Sequence, residues 1–165
     1  MHRSDLPITP ISVLQLFRRP PDAVAHISGI DEYPKIKGFV NFYQILQGVL
    51  VLAEINGLPQ ADGLCGNRVF GFHIHQGTSC SGNAEDPLAD TQSHYNPHRC
   101  PHPYHAGDLP PLFGNRGSAY MLFLTDRFSV REIVGKTVVI HSKQDDFTSQ
   151  PAGNSGQKIA CGRII

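Results

Sequence analysis

Seven runs of six to nine residues, rich in Val, Ile and aromatic side chains, recur along the chain at 24–30, 36–44, 49–55, 69–75, 119–125, 136–141 and 158–165. Each is bounded by Gly, Pro or Asp, residues that form turns and interrupt a hydrogen-bonded ladder. With 16 Gly and 13 Pro in 165 residues, the chain has little room for long helices. The pattern predicts an all-β fold, a Greek-key β-barrel or sandwich of about eight antiparallel strands. Residues 23–165 read as one domain of this kind, and residues 1–22 as an N-terminal extension. In the extension, Thr9-Pro10 resembles a helix N-cap followed by proline at the first helical position. Ile11, Leu14 and Phe17 then recur at spacing three, and Pro20-Pro21 ends the run. A short amphipathic helix is expected there, packed on the domain or on a partner subunit.

Two long polar segments, 76–115 and 142–157, separate the strands. The first is far longer than a connection requires, and loops of that length are usually functional or disordered. The histidines in and beside it favour function. Lys+Arg and Asp+Glu balance at 14 each, so the neutral chain is not expected to partner nucleic acid or an anionic membrane surface. No apolar run approaches the ~18 residues of a spanning helix. The first residues do not read as a signal peptide, because Pro7 and Pro10 interrupt a short apolar stretch and Arg18 and Arg19 follow it. A cytoplasmic location is therefore the expectation. Nothing in the pattern marks an oligomer surface, and a homodimer stays open. The four cysteines could form two bridges in three connectivities.

The chemistry is concentrated in histidine, of which there are 9. In Phe72-His73-Ile74-His75 the two imidazoles stand at i and i+2. On a strand they share one face, while Phe72 and Ile74 take the other. Alone, such a pair is more often a solvated sheet face than a site. His94, His102 and His105 follow in the long loop, with Asp108 three residues after the last. His141 closes the run Thr137-Val138-Val139-Ile140-His141. A cluster of imidazoles with one carboxylate suits zinc or copper.

At these residues the chain closely resembles the copper–zinc superoxide dismutase family, in a bacterial-type form with a shortened metal loop. The matching stretches are GFHIH at 71–75, HYNP at 94–97, HAGDL at 105–109, VVIHSKQDD at 138–146 and PAGNSGQKIACG at 151–162, in the family's order. The resemblance implies copper held by His73, His75, His94 and His141. It implies zinc held by His94, His102, His105 and Asp108, with His94 bridging the two as an imidazolate. Asp145 matches the carboxylate that links a copper-ligand histidine to a zinc-ligand histidine. Cys80 and Cys161 match the family disulfide. The implied activity is disproportionation of superoxide to oxygen and hydrogen peroxide, with His94 as proton carrier and a cation beside copper to receive the anion. The copper donor is not implied.

Two positions depart from the family pattern. The family generally places arginine where this chain has Lys158, which keeps the charge but loses the planar fork. His102 follows His94 by eight residues, as the family pattern expects, but His105 follows after only three more, a shorter interval than usual. His98 competes with His102 for the zinc role and reads as an exposed loop residue. Cys65 and Cys100 either form a second bridge that tethers the shortened loop or remain separate thiols. His26 and His2 are expected outside the site. The competing reading is a non-catalytic copper- or zinc-binding protein on the same fold; a pure interaction module would leave the ordered ligand positions unexplained.

Overall fold

The structure, a computed structural model, describes residues 18–63 and 65–165. The expected N-terminal helix lies outside the described residues. Among the described residues nine strands form: β1 (Ala23–Gly29), β2 (Lys37–Ile45), β3 (Gly48–Asn56), β4 (Val69–Phe70), β5 (Phe72–His75), β6 (Leu112–Phe113), β7 (Ser118–Thr125), β8 (Thr137–His141) and β9 (Lys158–Arg163). Seven make one curled antiparallel sheet in the order β5-β8-β9-β1-β2-β3-β7, so the last strand lies beside the first. β4 and β6 form a separate two-stranded sheet. The all-β expectation holds.

Alternation builds the core. Ala23, Ala25 and Ile27 of β1, Val40 and Phe42 of β2, and Val49, Val51, Ala53 and Ile55 of β3 all turn inward. Phe72 and Ile74 join them from β5, with Val138 and Ile140 from β8.

The run 69–75 is not one strand. Gly71 divides it, so that β4 pairs with β6 and β5 pairs with β8. At this junction a Cβ on residue 71 would press against the Ser155 side chain and the His141 Cβ at 2.9–3.2 Å, which glycine avoids. Gly71 also donates to the Lys143 carbonyl and accepts from the His141 amide, tying the start of the histidine strand to the end of β8. β6 lies inside the segment expected to be loop. A single-turn helix, α1 (Val130–Ile133), was not expected; Ser129 and Glu132 form its capping box. Among the described residues no helix is long and apolar enough to cross a membrane.

The loop from Cys80 to Asp108 is ordered by a 3-10 turn at Ala89–Thr91 and by isolated bridges, His75 with His94 and His73 with Asp108. It lies along β5 as a partial extra strand. Cys80 bonds to Cys161 of β9, closing a separation of 81 residues. Cys65 is exposed and Cys100 half-buried, and both are free thiols, so the second bridge is not formed. The reason is local. Asn96 holds the Cys100 backbone through both its amide and its carbonyl. Cys65 belongs to a different loop, whose Asn67 is tied to the Ser142 carbonyl.

Candidate metal centre

All four residues of β5 are buried, and its ladder to β8 fixes the direction of both imidazoles. A register shift between Ile140 and His141 turns His141 toward them and sets it opposite Lys158 of β9. The metal loop then brings in His94, His102, His105 and Asp108. The result is two clusters of buried donor atoms: His73, His75, His94 and His141, and His94, His102, His105 and Asp108. His94 belongs to both. His98 and His26 are exposed and lie outside these clusters, which resolves the competition for the zinc position in favour of His102.

Hydrogen bonds assign one nitrogen of His73, His75, His102 and His141 and leave the other for the centre. His75 Nδ1–H donates to the Gln92 carbonyl at 2.7 Å, and His141 Nδ1–H to the Gly156 carbonyl at 3.3 Å. Their Nε2 atoms consequently face each other as lone pairs 3.3 Å apart. His73 Nε2–H and His102 Nε2–H donate to the two oxygens of Asp145 at 2.7 and 2.8 Å. That leaves His73 Nδ1, His102 Nδ1 and His94 Nε2 buried and without a hydrogen-bond partner.

Opposed lone pairs and orphaned nitrogens in a dry site are costly unless a cation lies between them. The spacing fits one. His94 Nδ1 and His105 Nδ1 are 3.5 Å apart, and His102 Nδ1 and His105 Nδ1 lie 3.1 and 3.2 Å from Asp108 Oδ2. Tetrahedral donors around zinc at its usual Zn–N distance stand about 3.3 Å from one another. His94 presents Nδ1 to this cluster and Nε2 to the other, as a bridging ligand must.

Burial keeps His73, His75 and His141 neutral. It pushes the His73 imidazole down to about 4 and His141 to about 3, against the opposing pull of the Asp145 hydrogen bond in the first and the Gly156 carbonyl in the second. His75 is held well below its ordinary value by burial and by neighbouring imidazoles. Burial alone would raise the Asp108 carboxyl, but the hydrogen bond to His94 and the nearby imidazoles hold it below its usual range. For Asp145, burial is likewise outweighed by hydrogen bonds from His73, Phe147 N–H and His102, which bring it to about 2. At neutral pH His73, His75 and His141 therefore offer uncharged imidazoles and Asp108 an ionised carboxylate, the states that bind metal.

Several positioning groups were missed in the sequence. The Gln150 amide grips the His102 backbone, donating to its carbonyl at 2.8 Å and accepting from its N–H at 3.0 Å. Arg127 donates from one nitrogen to the Pro103, His105 and Asp108 carbonyls at 3.1, 3.3 and 3.1 Å, stapling the shortened loop. Gly153 sits at φ +66°, where a Cβ would collide with Asp145 and crowd His102. Lys158 stands beside the centre, but its ammonium donates to Asp86 at 2.6 Å and to the Leu88 carbonyl at 2.9 Å.

A curled antiparallel sheet bearing two buried donor sets that share one imidazole defines a protein with a paired metal centre. The chain belongs to the copper/zinc superoxide dismutase family: residues 36–164 match the family described as Copper/zinc superoxide dismutase (SODC). It is 32% identical over 158 residues to a copper–zinc superoxide dismutase of Aquifex aeolicus, covering 87% of each chain. It is 34% identical over 141 residues to the copper–zinc superoxide dismutase of Photobacterium leiognathi, covering 77% of this chain and 78% of that one. Among solved structures, a double mutant of a SOD-like protein from Bacillus subtilis superposes with a TM-score of 0.67 at 25% identity, over 84% of this chain and 94% of that one.

Proposed function

We propose that the protein dismutates superoxide, with copper at His73, His75, His94 and His141 and zinc at His94, His102, His105 and Asp108. The observation that supports this most directly is the pair of donor sets joined through His94, with three buried nitrogens that have no hydrogen-bond partner. Copper bound there supplies a one-electron couple that accepts an electron from one superoxide and returns it to the next, while zinc does no redox chemistry.

The chain's own groups do the rest. His73, His75 and His141 stay neutral and fixed, each by a hydrogen bond on the nitrogen turned away from copper. His94 Nε2 is the position at which a proton can be held and passed to the leaving peroxide, because Nδ1 is committed beside Asp108 at 2.7 Å. Asp145 holds a ring of each site, so the two sites keep one geometry. Lys158, paired opposite His141 on β9, is the cation that would receive the anion, its ammonium held by Asp86 and the Leu88 carbonyl.

The test is superoxide disappearance catalysed by the copper- and zinc-loaded chain, compared with His73→Ala and His141→Ala. Loss of catalysis in both variants is expected; rates equal to the parent protein contradict the assignment. Metal loading also separates the competing reading. A chain that binds zinc but no copper, or copper that does not cycle, is a binding protein on this fold.

A further inference from the structure

The residue that would receive the anion is not a free cation. Lys158 stands opposite His141 in the β8–β9 ladder. Beyond His141 opens a cavity of about 330 Å³, lined among others by Asn154, Ser155 and Gly156. The Lys158 ammonium is turned to the Asp86 carboxylate at 2.6 Å and the Leu88 carbonyl at 2.9 Å, with its side chain only 17% exposed.

Asp86 is itself held in place. Its Oδ1 accepts from the Leu88 amide at 3.0 Å, and its own N–H donates to Asn83 Oδ1 at 2.9 Å. Its carbonyl accepts from the Asn83 and Ala89 amides. The loop that carries it starts at Cys80, which is bonded to Cys161, three residues beyond Lys158 on the same strand. Disulfide, loop and ion pair therefore form one closed unit at the edge of the metal centre. An acidic side chain at 2.6 Å cancels most of the field that one ammonium sends outward, and the chain as a whole has no net charge to replace it.

We propose that Asp86 is a positioning residue that clamps Lys158 and weakens the attraction of small anions to the metal centre. The proposal rests on the reading of the centre as one that binds copper and meets superoxide. It gives the disulfide loop a role beyond stability, because the loop sets how much of the lysine charge an approaching anion experiences.

The probe is azide, titrated into the copper- and zinc-loaded full chain and followed by the visible copper absorption at several ionic strengths. Asp86→Asn retains the side-chain oxygen that accepts from Leu88 but removes the charge. It is expected to tighten azide binding by about three- to tenfold at low ionic strength and to steepen its salt dependence. The double variant Asp86→Asn with Lys158→Met removes both charges, and is expected to return to the parent's affinity and shallow salt dependence. An Asp86→Asn protein with unchanged or weaker azide binding overturns the clamp. So does a double variant that keeps the gain, since loosening of the loop would then explain it. If the parent itself shows no copper band after loading, the metal-centre reading fails, and the clamp fails with it for that separate reason.

Discussion

Asp145 carries two imidazoles on its two oxygens, His73 from the copper set and His102 from the zinc set. Removing it frees both rings to rotate and leaves two buried N–H groups unpaired. Asp145→Ala is therefore expected to lower the affinity for both metals by about 10- to 100-fold, measured by competition with a chelator. An effect confined to one metal would show that the carboxylate does not couple the sites. The metal ligands themselves were legible in the sequence. Strand alternation put His73 and His75 on one face, and the ordered motifs supplied the rest. Gln92, Gly156, Gln150 and Arg127 were not legible. They act largely on or through backbone carbonyls, and such contacts leave no residue-type signature. Lys158 was expected as the cation that receives the anion; it pairs opposite His141, and its partner Asp86, 72 residues away, could not be read from spacing.

At the scale of elements, the metal loop stands out because its shortened interval between His102 and His105 is braced from outside. Arg127, in the connection after β7, is exposed, so its three bonds are each worth less than they would be in a dry site. Arg127→Ala is expected to cost about 1–2 kcal/mol in the stability of the zinc-loaded protein, read by denaturant titration, and to weaken zinc more than copper. The strand runs predicted most of the sheet, whereas the division at Gly71 and the two-residue β6 escaped notice. Both depend on which neighbour a short segment meets: β4 and β5 continue one apolar run yet join different sheets. The helix α1 had a visible Ser-x-x-Glu cap at Ser129 and Glu132, but four residues give too little periodicity to read.

The whole molecule stores a pH dependence in its centre. In the metal-free protein His73 and His141 titrate at about 4 and about 3, below the ordinary imidazole value. Between that ordinary value and those lowered ones the unfolded chain binds protons that the folded chain refuses, so folding is disfavoured as pH drops. The stability of the metal-free protein is thus expected to be full above about pH 6.5 and to fall as pH is lowered toward 4, as followed by the midpoint of thermal unfolding. A midpoint unchanged across that window would mean the imidazoles are not buried neutral. The Cys80–Cys161 bond constrains the unfolded chain over a separation of 81 residues. On the loop-entropy relation, Cys80→Ser is expected to cost about 4.5 kcal/mol, read by denaturant titration.

The central claim is that one buried imidazole joins two different metal sites, and metal content tests it most directly. After loading with both metals and removal of excess, the account predicts one copper and one zinc per chain. His73→Ala should lose copper and keep zinc, His105→Ala should lose zinc and keep copper, and His94→Ala should disturb both. Two zinc ions with no copper, or a His94→Ala protein that keeps both metals at the parent's affinity, would contradict it.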